Sequence, residues 1–114
     1  MENLSKKELK EHYKSRNVIG GIYCVKCSGN GRTWLKSTKD IVGQKNRYEF
    51  FITTNSCPEP GMRSEWDRYG AGSFTFTVLE KIIKTETQTD REFTDDISIL
   101  LEMWIEKQQQ GDLL

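Results

Sequence analysis

The side chains with the most chemical reach in this sequence are three cysteines, one histidine, a basic run and an acidic run. Cys24-Val25-Lys26-Cys27 is a CxxC pair, a spacing used by zinc sites and by redox motifs. A structural zinc ion takes four ligands, and beyond the pair only Cys57 and His12 remain. The pair also falls where the sequence reads as a strand, which would send Cys24 and Cys27 to opposite faces. Zinc is therefore not expected, and His12 is given no role. The odd cysteine count argues against a disulfide framework, leaving one core cysteine and one edge cysteine as the plain expectation.

Phosphate binding is the other chemistry within reach. Residues 31–47 carry Arg32, Lys36, Lys39, Lys45 and Arg47 against the single acid Asp40. Residues 86–106 carry Glu86, Asp90, Glu92, Asp95, Asp96, Glu102 and Glu106, opposed only by Arg91. Over the whole chain 17 Lys and Arg balance 17 Asp and Glu, so the global basic excess of a dedicated nucleic-acid binder is missing. What the pattern predicts is polarity: one basic face suited to phosphate and one acidic face. Exposed lysines such as Lys36 and Lys39 equally suit a plain soluble surface.

These residues need elements to hold them. A 114-residue chain is close to the commonest domain size, and its three Trp, four Tyr and five Phe predict a core built on aromatics. Residues 4–16 read as a helix capped by Ser5, and Gly20-Gly21 as a break after it. Ile22–Cys27 and Arg32–Lys36 read as two strands joined by Ser28-Gly29-Asn30-Gly31, where Asn-Gly suits a type I′ hairpin. Ser37 to Asp40 can cap a helix from Ile41 to about Phe51. The loop Cys57-Pro58-Glu59-Pro60-Gly61 separates it from a short helix, Met62–Tyr69, ended by Gly70. Ser73–Ile83 alternates as a half-buried strand, and Arg91–Gln110 reads as a final helix with Ile97, Leu100, Leu101, Trp104 and Ile105 on one stripe. The expected fold class is α+β, in the order α-β-β-α-α-β-α, with a three-stranded, partly antiparallel sheet flanked by helices. One domain over 1–114 is expected, 1–17 being an N-terminal helical extension and 18–110 the core. No apolar run approaches the ~20 residues that span a bilayer, and the polar N-terminus is not a signal peptide. No membrane partner and a cytoplasmic location are expected.

Three blocks then point to a family. Gly21-Ile22-Tyr23, with Trp34-Leu35-Lys36 on the next strand, resembles the paired triplets of the GIY-YIG endonucleases. The stretch Arg63-Ser64-Glu65-Trp66-Asp67-Arg68-Tyr69-Gly70, followed by Phe74 to Glu80, is similar to that family's helix and aromatic strand. Glu102-Met103-Trp104-Ile105-Glu106 resembles the segment that carries its metal-binding glutamate. The match runs over residues 18–110, and the order and spacing of the blocks carry more weight than any one of them.

The resemblance implies a divalent-metal-dependent endonuclease acting on DNA phosphodiesters, with Mg2+ or Mn2+ as cofactor. By motif, Tyr23 takes the place of the tyrosine that serves as or assists the general base. Glu102 takes the place of the metal ligand. The remaining catalytic positions are altered: the second tyrosine is Trp34, its triplet's glycine is Lys36, and the arginine on the following helix falls at Gln44. Trp has no ionisable hydroxyl, and Gln supplies no cation to a phosphate. Lys36, Lys39, Lys45 and Arg47 are the expected nucleic-acid contacts. Tyr23 also fits aromatic packing on a central strand, Glu102 a solvated helix residue, and Trp66 and Tyr69 core. Two functions follow. One is an endonuclease-like protein with weak or lost activity. The other is a catalytically inactive binding or regulatory module with a protein or nucleic-acid partner.

Overall fold

β1 (Ile19–Cys27) is the spine of the structure, because it is the one strand with a neighbour on each side. The computed structural model describes residues 18–110. β1 pairs antiparallel with β2 (Thr33–Thr38) and with β3 (Phe74–Ile83), giving the strand order β2-β1-β3. The three-stranded sheet is thus antiparallel in both pairings. Around it stand α1 (Ile41–Thr54), α2 (Arg63–Tyr69) and α3 (Asp90–Gln109), with short 3-10 turns at Pro60–Met62 and Ala71–Ser73. From β1 onward this is the expected α+β order. The helix expected over residues 4–16 lies outside the described residues.

Strand alternation divides the core into two layers. On one face Tyr23, Val25, Cys27 and Phe74 pack with Ile41 and Tyr48 of α1, Met62, Trp66 of α2, and Ala71. On the other, Ile22 packs with Phe93 and Ile97 of α3, joined by Leu79, Ile82, Leu100, Leu101 and Trp104. The step from Ile22 to Tyr23 coincides with a bulge: Ile22 pairs with Glu80 but Tyr23 pairs with Val78. The additional residue bends β3 locally beside Tyr23.

Several local expectations change. Gly20 and Gly21 do not interrupt the chain but lie inside β1. A Cβ on Gly20 would meet the Thr38 carbonyl oxygen and the Ile97 side chain, and one on Gly21 would overlap the Glu80 carbonyl. The glycines are there for close backbone approach in the middle of a sheet. The Asn30-Gly31 turn is not type I′, since that turn needs positive φ at both central residues and only Gly31 has it, at 75°. The Gly31 N–H donates to the Cys27 carbonyl at 2.8 Å and the Cys27 N–H to the Arg32 carbonyl at 2.9 Å, closing a longer loop. The Asn30 side chain is engaged elsewhere, accepting from the Arg32 N–H at 3.0 Å and donating to Glu65 at 3.3 Å. Cys24 and Cys27 do take opposite faces, yet both are buried, so neither is an edge cysteine.

The helix ends follow from capping chemistry. The Asp40 side chain accepts from the Gly43 N–H, opening α1, and Asn55 in the left-handed region closes it at φ 55°. α1 therefore runs beyond Phe51 to Thr54. Thr89 and Glu92 form a reciprocal capping box at the start of α3.

Candidate functional site

The two tyrosines on the α1 face are the centre of a polar cluster inside an aromatic core. Tyr23 is 3 % exposed and Tyr48 1 %. β1 presents Tyr23 and the middle of α1 presents Tyr48, with ring centroids 5.8 Å apart and edge to face. Phe76 of β3 stacks on Tyr23 at 4.6 Å and closes the third side. The Tyr48 hydroxyl donates to Glu59 Oε2 at 2.5 Å. The other oxygen of the same carboxylate, Oε1, is 2.7 Å from Lys36 Nζ. The Tyr48 and Gln44 side chains act on the hydroxyl of Tyr23, and the Arg47 charge acts on both Tyr23 and Glu59.

Local sequence explains these placements. Lys36 is the Cα partner of Tyr23 across β1 and β2, so the two share a face. Gln44 and Tyr48 are four residues apart on α1 and point the same way. Glu59 stands between Pro58 and Pro60 in the loop that leads to α2, where two fixed φ angles restrict the backbone.

The protonation states follow from burial and charge. Burial raises the Tyr23 phenol above its ordinary value, and the Glu59 charge raises it further. The neighbouring Tyr48 and Gln44 side chains and the Arg47 charge offset this only in part. Burial, then the hydrogen bond to Glu59, pushes Tyr48 far above the usual tyrosine range. Burial works to raise Glu59 as well, but bonds from Lys36 and Tyr48 and the charges of Lys36 and Arg47 outweigh it. The carboxyl ends below its ordinary value. At neutral pH the cluster holds two neutral phenols, a carboxylate and an ammonium. In this state Tyr23 is a hydrogen-bond donor, not a base.

The structure brings Tyr23, Lys36, Gln44 and Arg47 into this neighbourhood. Trp34 lies on the same face nearer the hairpin end, stacked at 5.9 Å on Phe74 with the Arg32 guanidinium 4.7 Å over its ring. Arg32 also reaches Glu65 at 3.0 Å and, as the largest influence, lowers that carboxyl. Lys39 is exposed in the turn before α1. Lys45 lines a separate groove between α1 and β3, with Val78 and Lys81. Glu102 is exposed on α3, the helix whose Phe93 and Ile97 pack on the Ile22 face of the sheet. Its neighbour Trp104 donates its indole N–H to Glu80 at 2.8 Å.

Two members of the cluster, Tyr48 and Glu59, are absent from the residues the sequence singles out. Tyr48 has a usable signal, one helical turn beyond Gln44 on a helix expected to face the site. Glu59 has none, because its reach to Lys36 and Tyr48 depends on how the loop folds back. As for a metal, no group of three or more His, Cys, Asp or Glu among the described residues could hold an ion. These residues fit no preformed cage. The metal site they would suit takes water and substrate phosphate for most of its ligands, as magnesium sites often do.

No family model matches this sequence, and no curated protein matches it. Two solved structures are similar. One is the catalytic domain of intron endonuclease I-TevI in a point-mutant form, 20% identical, with 78% of this chain and 82% of that chain covered and a TM-score of 0.55. The other is the catalytic domain of homing endonuclease I-TevI, 19% identical, covering 77% and 86% with a TM-score of 0.52. At such identity the likeness speaks for the fold, and the fold is GIY-YIG-like, as the paired triplets implied.

Proposed function

We propose that this chain binds DNA phosphates on the tyrosine face of its GIY-YIG-like fold and is an endonuclease-like protein of strongly reduced turnover. The observation that carries this reading is the constellation itself: a buried Tyr23 hydroxyl flanked by Tyr48 and Gln44, with Lys36 and Arg47 as nearby cations. Lys39, exposed at the start of α1, extends the basic surface, and Lys45 adds charge on its far side. Burial of the acidic α3 face against nucleic acid is disfavoured by the same argument. Its exposed carboxylates would repel phosphate.

The reduction in turnover has identifiable causes. Gln44 offers a hydrogen bond where a cation would stabilise the pentavalent phosphate, and the loss of such a charge is expensive. Tyr23 is held protonated at neutral pH, so it needs an added positive charge before it can accept a proton from water. A divalent cation such as Mg2+ or Mn2+, if bound together with the phosphate, would supply that charge. Assigning Glu102 as its ligand requires the outer surface of α3 to take part. No membrane role is proposed: among the described residues no helix is long and apolar enough to cross one. A cytoplasmic location belongs to the same reading.

The test uses the full chain with supercoiled plasmid and a labelled duplex, in Mg2+ or Mn2+. The expected result is binding at about 1–100 µM at physiological salt, the range of non-specific contact, and tighter at low salt. Slow nicking should accompany it, reduced roughly tenfold or more by Tyr23→Phe with little change in binding. Absence of any DNA shift at low salt would sink the reading. A second reading, the silent module, is favoured by one observation: Glu102 is exposed on α3, whose apolar side packs on the sheet face opposite the one that carries Tyr23. It predicts retained binding and the same background nicking in wild type, Tyr23→Phe and Glu102→Ala.

A further inference from the structure

Glu59 holds the place on the tyrosine face where an anion is best received. Its two oxygens are each met by one donor, Lys36 Nζ at 2.7 Å and the Tyr48 hydroxyl at 2.5 Å. The loop that carries it is set by Pro58 and Pro60. It is further held by the Met62 N–H at 3.0 Å and the Cys57 thiol at 3.1 Å, both donating to the Glu59 carbonyl. A carboxylate with two donors in this arrangement matches one side of a phosphodiester, which also has a single charge and two non-bridging oxygens.

We propose that Glu59 is an internal latch in a phosphate site, its carboxylate occupying the oxyanion position formed by Lys36 and Tyr48 until a nucleic-acid phosphate displaces it. This rests on the phosphate-binding reading above and adds the regulation of that site. Two further features support displacement over a permanent ion pair. First, the pair is within reach of solvent, the side chains of Lys36 and Glu59 being 35% and 29% exposed. Second, Glu59 also lines an open cavity of about 430 Å3, together with Cys57, Pro58, Pro60 and Arg63. A carboxylate swung out of the Lys36 position thus finds room and the Arg63 guanidinium, whose present partner Asp67 is an exposed pair at 3.4 Å. The exchange is charge for charge: Glu59 moves from one cation to another, and the phosphate takes Lys36. While the latch is closed, Lys36 is neutralised and contributes little attraction to DNA.

The experiment measures fluorescence anisotropy of a labelled DNA duplex at low salt with the full chain. Four variants are compared with wild type: Glu59→Gln, Glu59→Asp, the double variant Glu59→Gln with Lys36→Ala, and Glu106→Gln. The last removes one negative charge from α3 and controls for net charge. Glu59→Gln is expected to bind about tenfold more tightly, and the double variant to lose that gain, the signature of a charge pair in competition with ligand. Glu59→Asp keeps the charge but withdraws it by one methylene, and an intermediate gain is expected. It serves as the second reading should Glu59→Gln fold poorly. A gain no larger than that of Glu106→Gln overturns the latch while leaving DNA binding intact. So does a gain that survives Lys36→Ala. A different pattern, no binding by wild type or any variant, overturns the phosphate-binding reading itself. Thermal shifts with inorganic phosphate then judge the latch alone: a larger shift in Glu59→Gln than in wild type supports it, and equal shifts overturn it.

Discussion

Two phenols lie close to one carboxylate on the α1 face, Tyr48 bonded to it and Tyr23 within the reach of its charge, and their titration has consequences that stability measurements can read. Tyr23 and Tyr48 both carry pKa values raised above the unfolded-state value of about 10, chiefly by burial. A raised pKa means that the fold prefers the neutral phenol. The stabilisation is complete below that unfolded pKa and is lost as pH rises through the folded one. Unfolding is therefore expected to become easier above about pH 10. Tyr48→Phe should lose ~1–3 kcal/mol at pH 7, because the Glu59 oxygen it served is left without its donor. The same variant should fall less steeply than wild type between about pH 9 and 11, having one fewer phenol to ionise. Urea melts at both pH values check this, and parallel slopes for the two proteins would contradict it. Glu59 runs the other way: its lowered pKa gives stability that is present above the unfolded carboxylate value and lost as pH falls through the folded one.

At the scale of elements, capping does more than hydrophobic stripes to say where helices begin. α3 opens on a reciprocal pair, with the Thr89 hydroxyl accepting from the Glu92 N–H at 3.1 Å and the Glu92 carboxylate accepting from the Thr89 N–H at 2.8 Å. Thr89→Ala is expected to cost ~1 kcal/mol, measurable as a lower urea midpoint with an unchanged slope. Because α3 covers the Ile22 face, that loss should leave DNA binding on the tyrosine face unaltered. The Thr89-x-x-Glu92 pattern and the Asp40 cap could be found by inspection, since both act within one turn. The hairpin could not be read so well. Asn30-Gly31 has a strong local preference, yet Asn30 is drawn to Arg32 and Glu65, the latter far along the chain, and the loop lengthens. Gly20 and Gly21 misled for a similar reason. Alone they signal a break, but the neighbouring strand and helix leave no room for a Cβ.

Among the described residues the charge is unevenly spread, although the formal sum over the chain is zero. The tyrosine face has Lys36 and Arg47, with Lys39 and Lys45 beside it, while α3 carries Asp95, Asp96, Glu102 and Glu106 on the far side of the sheet. DNA binding through this face should weaken with salt, with a slope of about −2 to −3 in log K against log salt. Lys36→Ala should reduce the slope's magnitude by less than one unit in the wild-type background, where Glu59 already neutralises that lysine. Arg47→Ala should reduce it by about one. Titrations at several salt concentrations separate these, and equal changes for the two substitutions would place Lys36 in free contact with phosphate.

The strands, the helix starts and the split of basic from acidic residues were legible in the sequence, because they arise from periodicity, capping and composition within short stretches. So was the GIY-YIG-like fold, since paired triplets and an aromatic alternating strand mark a specific order of elements. Which residues meet was a tertiary matter. Tyr48 joins Tyr23 only because α1 lies across β1, and Glu59 reaches Lys36 only because a loop bounded by two prolines folds back over β2. Glu102, one helix residue among several acids in the sequence, lies exposed on α3, whose apolar side packs on the Ile22 face. Burial then moved the chemistry further the same way: a phenol is neutral at pH 7 by its residue type, and desolvation, with the Glu59 charge, takes Tyr23 further from ionisation.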